Sequence, residues 1–436
     1  MSTAVTSTRE EPLQRRILAV LVLGQLLAGA GLAAGVTVGA LLAEDMLGGS
    51  ALSGLPAALF TGGSALAAVL VGKLSQARGR RPGLATGFAF GALGAVGIVV
   101  ATAIGSLPLL FLSFVIYGSG TATNLQARYA GADLASPAHR ARALSYVLLG
   151  TTAGAVAGPN LVGPTGVVAQ SWGLAPLAGP FLLAALAYGS AALVISLLLR
   201  PDPLLEARRR AAASESATVP SPSSLGTPSP PSSPSSPEAP LSVPSRVWTG
   251  EVITGVVVMA LTQFVMVGLM TMTPVHMRAH DHAVTVVGLV ISLHVAAMFL
   301  PAPLSGWLVD EYGTRAVSIS AGLVLPVSGV MAAVSPPEYT LFITIALILL
   351  GVGWSLGLVA GTTVLASAVP IAVRASVQGQ ADVAVALAGA AGGLLSGLVF
   401  AWVDFRGLGF WLAAFSLIVV AAVRPRRARE LHRQAS

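Results

Sequence analysis

Four of the six histidines and six of the nine methionines lie between Met259 and Met298, a density several times the chain average. Met266 and Met270 are four residues apart, as are His294 and Met298, so on helices each pair stacks on one face. Met259 and Met277 differ from that first pair by seven and continue nearly the same stripe. A connection centred near residue 281 lies 11 and 15 residues from Met270 and Met266, and 13 and 17 from His294 and Met298. Two antiparallel helices would therefore hold both pairs at matching depth, converging three thioethers and one imidazole. Thioether sulfur is a soft neutral ligand that selects Cu(I) over hard cations, and neutral imidazole also suits copper. Zinc, magnesium and calcium would want thiolate or carboxylate sets that this stretch lacks. Beside this stands a plain packing reading, because Met fills gaps between helices readily.

The elements that must carry such a site follow from composition. Of 436 residues, 55% are hydrophobic and 9% charged, and mean hydropathy is +0.82. A soluble domain carries about 25% charged residues. Apolar stretches long enough to cross about 30 Å of hydrocarbon recur along the chain. They predict an all-α polytopic membrane protein of twelve transmembrane helices in two six-helix bundles. The first six spans run near 17–43, 51–72, 83–105, 107–134, 142–167 and 176–200. The second six run near 248–276, 284–309, 316–335, 339–368, 372–401 and 406–424. Residues 1–200 make the N-terminal bundle, 201–247 a linker and 248–436 the C-terminal bundle. From Pro220 to Ser245 the linker holds 9 Pro and 10 Ser, a composition that cannot bury a core. With no cysteine, disulfides and thiolate metal sites are excluded.

Charge placement orients the chain. Of the 24 Lys and Arg, 21 fall at the termini, in the linker and in the loops on their side; Arg278 and Arg406 fall opposite, and Arg128 lies within a span. The positive-inside rule then places both termini and the linker in the cytoplasm of a bacterial cell, with the spans in its cytoplasmic membrane. It also accounts for the net charge of +7 without nucleic acid as a partner.

Two loops repeat one pattern. Gly72-Lys-Leu-Ser-Gln-Ala-Arg-Gly-Arg-Arg81 and Gly306-Trp-Leu-Val-Asp-Glu-Tyr-Gly-Thr-Arg315 share G-x-L-x-x-x-x-G-x-R at the same place in each half. The pattern resembles the signature loop of the major facilitator superfamily, and the likeness covers essentially the whole chain. It implies two bundles rocking about a midplane site, with Gly72, Gly79, Arg80, Asp310, Gly313 and Arg315 in the loops that pin the halves together. The first copy carries Gln76 where an acidic residue is usual, so a weaker lock is expected there.

A narrower resemblance rests on M-x-x-x-M (Met266, Met270) followed by H-x-x-x-M (His294, Met298). It is similar to the signature of the CcoA-like copper importers, a branch of that superfamily. It implies copper as substrate, those four residues as its ligands, and Met272, His276, Met277, His280 and His282 as a capture group near the outer mouth. No resident cofactor is implied.

Ionisable residues within spans are costly and mark functional positions. Asp382 in span 11 lies deepest and is the expected proton-coupling group, with Arg128, Asp133 and Gln263 as further coupling or cavity residues. Asp133 is expected to pair with Arg128 in span 4. Span 5 carries Gly154-Ala-Val-Ala-Gly158-Pro159, similar to a motif of proton-coupled drug exporters, though small-x-x-x-small spacing also serves close packing. No nucleotide-binding or hydrolase motif is present, and an enzyme is not expected. The expectation is a copper transporter working by alternating access, in the import direction. The alternatives are a proton-coupled transporter of an organic solute, such as a drug or riboflavin, and a non-transporting copper sensor.

Overall fold

The computed structural model describes residues 2–47, 55–218, 247–336 and 338–423. The Pro/Ser-rich stretch 220–245 and the arginines from Arg424 onward lie outside them. In hydrocarbon every backbone N–H and C=O must be satisfied within its own segment, and the described residues are accordingly helical, with no strand among them.

In the first half, α1 (Ser2–Leu47), α2 (Leu55–Arg78), α3 (Arg80–Ile104) and α4 (Leu107–Ala132) each cross once. Span 5 is α5 (Arg140–Asn160) continued after a break at Leu161 by α6 (Val162–Ser171), and α7 (Gly179–Leu198) closes the bundle. A further helix, α8 (Pro203–Thr218), occupies the start of the linker. In the second half α9 (Gly250–Ala279) is span 7, and α10 (Val284–Phe299) with the first part of α11 (Ala302–Ala333) is span 8. Gly313 divides α11, and its second part is span 9. Span 10 is α12 (Thr340–Ala368); α13 (Arg374–Ser416) is divided at Asp404 into span 11 and, with α14 (Ile418–Ala422), span 12. Twelve crossings are thus present among the described residues.

Two main apolar clusters form the core. One, in the first half, is built around Phe88, Phe114, Tyr117, Phe181 and Tyr188; the other is aliphatic and Met-rich, includes Trp354, and extends from the second half onto α4 and α5 through Tyr129, Leu144 and Leu148. The outer faces carry exposed Leu, Ile and Trp such as Leu394 and Trp402, as a lipid-facing surface requires. Glycine permits the closest helix crossings. A Cβ on Gly154 would stand 2.5 Å from the Ala30 nitrogen and 2.7 Å from Gly29 Cα. In this structure the glycine motif of span 5 therefore packs α5 onto α1.

The repeated loop is explained residue by residue. Gly72 and Gly306 are the points where one half meets the other: a Cβ on Gly72 would stand 2.9 Å from the Ala375 carbonyl oxygen, and one on Gly306 2.7 Å from that of Ala141. Gly79 (φ 101°) and Gly313 (φ 84°) both adopt a positive-φ conformation that side chains rarely tolerate. The sharp turn between spans is made the same way in both halves.

Candidate functional site

The halves meet in layers, beginning at the end that carries the two repeated loops. In the fifth position of each motif copy a side chain crosses to the first turn of a helix in the other half. Asp310 accepts from the backbone N–H groups of Ala141 (3.0 Å) and Arg142 (3.1 Å) and pairs with Arg142 Nε at 3.0 Å. These are orphan donors at the start of α5, where a carboxylate also meets the positive end of the helix dipole. Gln76 does the corresponding work at the start of α13. Its Oε1 accepts from the Ala375 N–H at 2.8 Å, and its Nε2 donates to the Ala372 carbonyl. Gln76 therefore bridges the halves although an acidic residue is usual at its position. The amide satisfies a donor and an acceptor together, whereas a carboxylate would face the Ala372 oxygen with no hydrogen to offer.

Just inside this layer, Arg80 is fully buried. Its Nε and Nη2 contact Asp133 at 2.8 and 3.4 Å, and Nη2 also reaches Gln378 Oε1 on α13 at 2.6 Å. The expected Asp133–Arg128 pair is not formed. Asp133 caps the end of α4, where the first turn of α3 brings Arg80 to it, while Arg128 turns toward the opposite half. Arg315 stands exposed, and the position matching Arg80 in the second copy is Thr314, so the buried arginine is specific to the first half.

One helical turn deeper, Arg128 donates from Nη2 to Asp382 Oδ1 at 2.7 Å. It also donates to the Tyr129 hydroxyl (3.1 Å), to Thr362 Oγ1 (3.1 Å) and to the Leu125 carbonyl. The Tyr129 hydroxyl lies 3.3 Å from Asp382 Oδ1, and the guanidinium sits 4.5 Å from the Tyr129 ring centroid. Thr362 in turn donates to the Met259 sulfur at 3.5 Å. Both charges are buried and paired through Asp382 Oδ1, while Asp382 Oδ2 is buried without a hydrogen-bond partner. Two positive and two negative charges (Arg80, Arg128, Asp133, Asp382) leave the buried interface neutral, and both arginines reach across from the first half to the second. Tyr129, Thr362 and Gln378 join these networks, and no sequence motif marks them. Tyr129 is signalled in sequence only by its place beside Arg128.

The next layer is polar but uncharged. Gln25 of α1 donates to the Asn124 carbonyl (2.9 Å) and to Thr151 Oγ1 (3.1 Å). Gln25 Oε1 and Asn124 Nδ2 are buried without a partner. In the second half Gln263 accepts from Trp354 Nε1 at 2.7 Å, and Phe299 packs edge-on to the same indole at 5.4 Å.

That indole calibrates the Met/His pairs. Gln263 and Phe299 meet it from α9 and α10 and so mark one level. Met266 and Met270 lie three and seven residues beyond Gln263, about 4.5 and 10.5 Å along the axis. Met298 and His294 lie one and five residues beyond Phe299, about 1.5 and 7.5 Å. The two pairs thus share a depth to within about one turn. The helices are not simple neighbours, however: α12 packs along both α9 and α10. Met266, Met298 and His294 are buried, and Met270 is packed against the same core. His294 Nδ1 lies 2.7 Å from the Leu347 carbonyl, which can only accept, so Nδ1 carries the hydrogen. Its Nε2 is buried and has no hydrogen-bond partner.

The proposed capture group surrounds the α9–α10 connection. His276 stacks on Phe405 with ring centroids 4.1 Å apart, and His280 lies 4.4 Å from His276. His280 Nδ1 lies 2.9 Å from the His276 carbonyl. Met277 is buried, Met272 and His282 are half-buried. No cluster of three His, Cys, Asp or Glu suited to a metal occurs among the described residues.

Two pseudo-equivalent bundles, closed over their loop end by reciprocal helix caps and buried ion pairs, have the architecture of a membrane transporter. The sequence profile of the Major Facilitator Superfamily matches residues 21–391 and 257–436. The chain is 48% identical over 416 residues to the "Uncharacterized MFS-type transporter YdeG" of Bacillus subtilis (strain 168), covering 95% of this chain and 93% of that one. It is 30% identical over 375 residues to the riboflavin transporter RfnT of Brucella anthropi, covering 84% and 85%. In fold it is similar to the human organic anion transporter MFSD10, with a TM-score of 0.72 at 18% identity over 94% of this chain and 99% of that one. The chain belongs to the Major Facilitator Superfamily, and it is a transporter, not an enzyme.

Proposed function

We propose that this transporter carries copper, bound as a soft cation by Met266, Met270, His294 and Met298, across the bacterial cytoplasmic membrane and into the cell. The observation that carries this reading is His294. Metal-bound histidines regularly donate their other ring N–H to a backbone carbonyl or carboxylate, which fixes the tautomer and aims the free nitrogen. Here Nδ1 is committed to Leu347, and Nε2 is buried, unpartnered and one helical turn from the Met298 position. A buried imidazole nitrogen left unpaired is costly, and a soft cation shared with thioethers would satisfy it. In this reading the arginine-rich loop end is cytoplasmic and the described conformation is closed inward. His276, His280 and His282, with Met272 and Met277, would gather the ion at the outer mouth. Protonation of Asp382 would release Arg128 and free the halves to rock, which makes the proton the coupling ion.

A second reading is favoured by the likeness to RfnT and by the partnerless Gln25 and Asn124 groups, which suit a polar organic solute such as a flavin. One experiment separates the two. Proteoliposomes holding wild type or Met266→Ala/His294→Ala are assayed for uptake and efflux of radioactive copper and of riboflavin. Copper flux lost in the variant, with membrane level and elution profile intact, supports the copper reading. Riboflavin flux indifferent to the variant, with no copper flux in either direction, overturns it in favour of the organic solute.

A further inference from the structure

At the loop end a cavity of about 330 Å³ opens among three separate parts of the chain. Arg140 enters it from the first turn of α5, Arg374 from the first turn of α13, and Arg210 from α8, with Ala207 and Ile371 in its walls. The volume falls at the lower end of the range for small-molecule sites. Asp133 borders it, but that carboxylate is taken up by Arg80 and its side chain is only 1% exposed. Arg210 is neutralised by Glu206 at 3.2 Å. Among the described residues, neither Arg140 nor Arg374 forms an ion pair. Arg140 Nη1 donates to Ser367 Oγ at 3.2 Å and Arg374 Nε to the Val369 carbonyl at 3.1 Å. Arg140 Nε is buried with no partner at all. Two guanidinium groups, whose neighbouring carboxylates Asp133 and Asp310 are already paired with Arg80 and Arg142, therefore share one cavity without an ion pair of their own, one from each half of the transporter.

We infer that this cavity binds a phosphate-bearing anion, either a soluble phosphate compound or the headgroup of an anionic lipid, and that the bound anion clamps the loop end shut. Guanidinium forks match phosphate oxygens in geometry and charge, and such charge-assisted hydrogen bonds are among the strong ones. The cavity exists only while the starts of α5 and α13 are together, since Arg140 and Arg374 belong to bundles that separate when this end opens. A ligand that binds one of two states shifts the equilibrium toward it by its differential affinity. Occupancy would therefore favour the conformation closed at this end. The helix α8 adds a third wall and is anchored to the first loop by Arg208, which donates to the Gln76 carbonyl at 2.8 Å. The inference stands whichever substrate crosses the membrane.

The test uses the full-length protein with spin labels on Arg78→Cys and Glu311→Cys, exposed positions in opposite halves at the loop end. Distance distributions and the unfolding midpoint are recorded in phosphatidylcholine nanodiscs titrated with inorganic phosphate against chloride at equal ionic strength. The same is done in nanodiscs containing phosphatidylglycerol. The expected result is a rise in the closed population and a midpoint raised by several degrees. The half-effect concentration should move at least tenfold upward in R140Q/R374Q; if the double variant fails to fold, either single variant serves. A response to phosphate in solution assigns the site to a free anion, and one confined to phosphatidylglycerol assigns it to a lipid headgroup. No response to either probe, or an unchanged response in the variant, overturns the inference.

Discussion

Asp382→Asn tests the view that the Arg128–Asp382 pair holds the loop end closed. The substitution keeps the size of the side chain and one acceptor oxygen but removes the charge that neutralises Arg128. Removing one member of a buried pair costs about 3–5 kcal/mol, because the other charge is left uncompensated. The asparagine oxygen recovers about 1 kcal/mol as an ordinary hydrogen bond. An arginine cannot escape the remaining cost by deprotonating. The net penalty of about 2–4 kcal/mol falls on the closed state, since separation of the halves lets water reach Arg128. At about 1.4 kcal/mol per decade, that shifts the closed-to-open ratio roughly 30- to 1000-fold toward opening at the loop end. The chain contains no cysteine, so spin labels on Arg78→Cys and Glu311→Cys report this ratio by pulsed distance measurement without background. The double variant Arg128→Met/Asp382→Leu is the decisive companion. Replacing both charges with apolar groups of similar bulk should leave the ratio near that of wild type. A ratio within twofold of wild type in Asp382→Asn, or a double variant as open as the single one, would refute the reasoning.

Further predictions concern the loops. Asp310→Asn leaves one oxygen for the two N–H groups at the start of α5 and abolishes the pair with Arg142. A loss of about 1–2 kcal/mol is expected from the missing charge-assisted bond, read as a roughly tenfold rise in the open population with the same labels. Gly379→Leu places a side chain where even a Cβ would stand 2.5 Å from the Ala68 carbonyl oxygen and 3.1 Å from Gly72 Cα. It should force the loop end apart and trap the protein open there; an unchanged distance distribution would show that α2 and α13 can give way. Asp202 accepts from the N–H groups of Leu204, Leu205 and Arg81, so Asp202→Ala uncaps α8 and leaves Arg208 as its tie to the first loop. A cap of this kind is worth about 0.5–2 kcal/mol; hydrogen exchange should accelerate in residues 203–218 and stay unchanged in α12.

The spans were readable in the sequence because the bilayer imposes one requirement on every segment: enough apolar residues, in a helix, to cross about 30 Å. The repeated loop was readable for a similar reason. Gly79 and Gly313 occupy positive-φ positions and Gly72 and Gly306 close approaches, both demands that only glycine meets at little cost. The start of the linker was not: α8 forms in a segment of low hydropathy because Asp202 caps it and Arg208 ties it to the first loop. Partners across long stretches of chain were equally hidden. Asp133 takes Arg80, and Arg128 reaches Asp382 across 254 residues, because a span records depth but not which way its side chains face around the bundle. Depth for Met266, Met270, His294 and Met298 followed from residue counts along two antiparallel helices. Only the packed bundle set α12 against both helices, committed His294 Nδ1 to Leu347 and left Nε2 buried and unpaired. Counting residues along a helix fixes height, whereas rotation about its axis and the identity of its neighbours are decided when the helices pack.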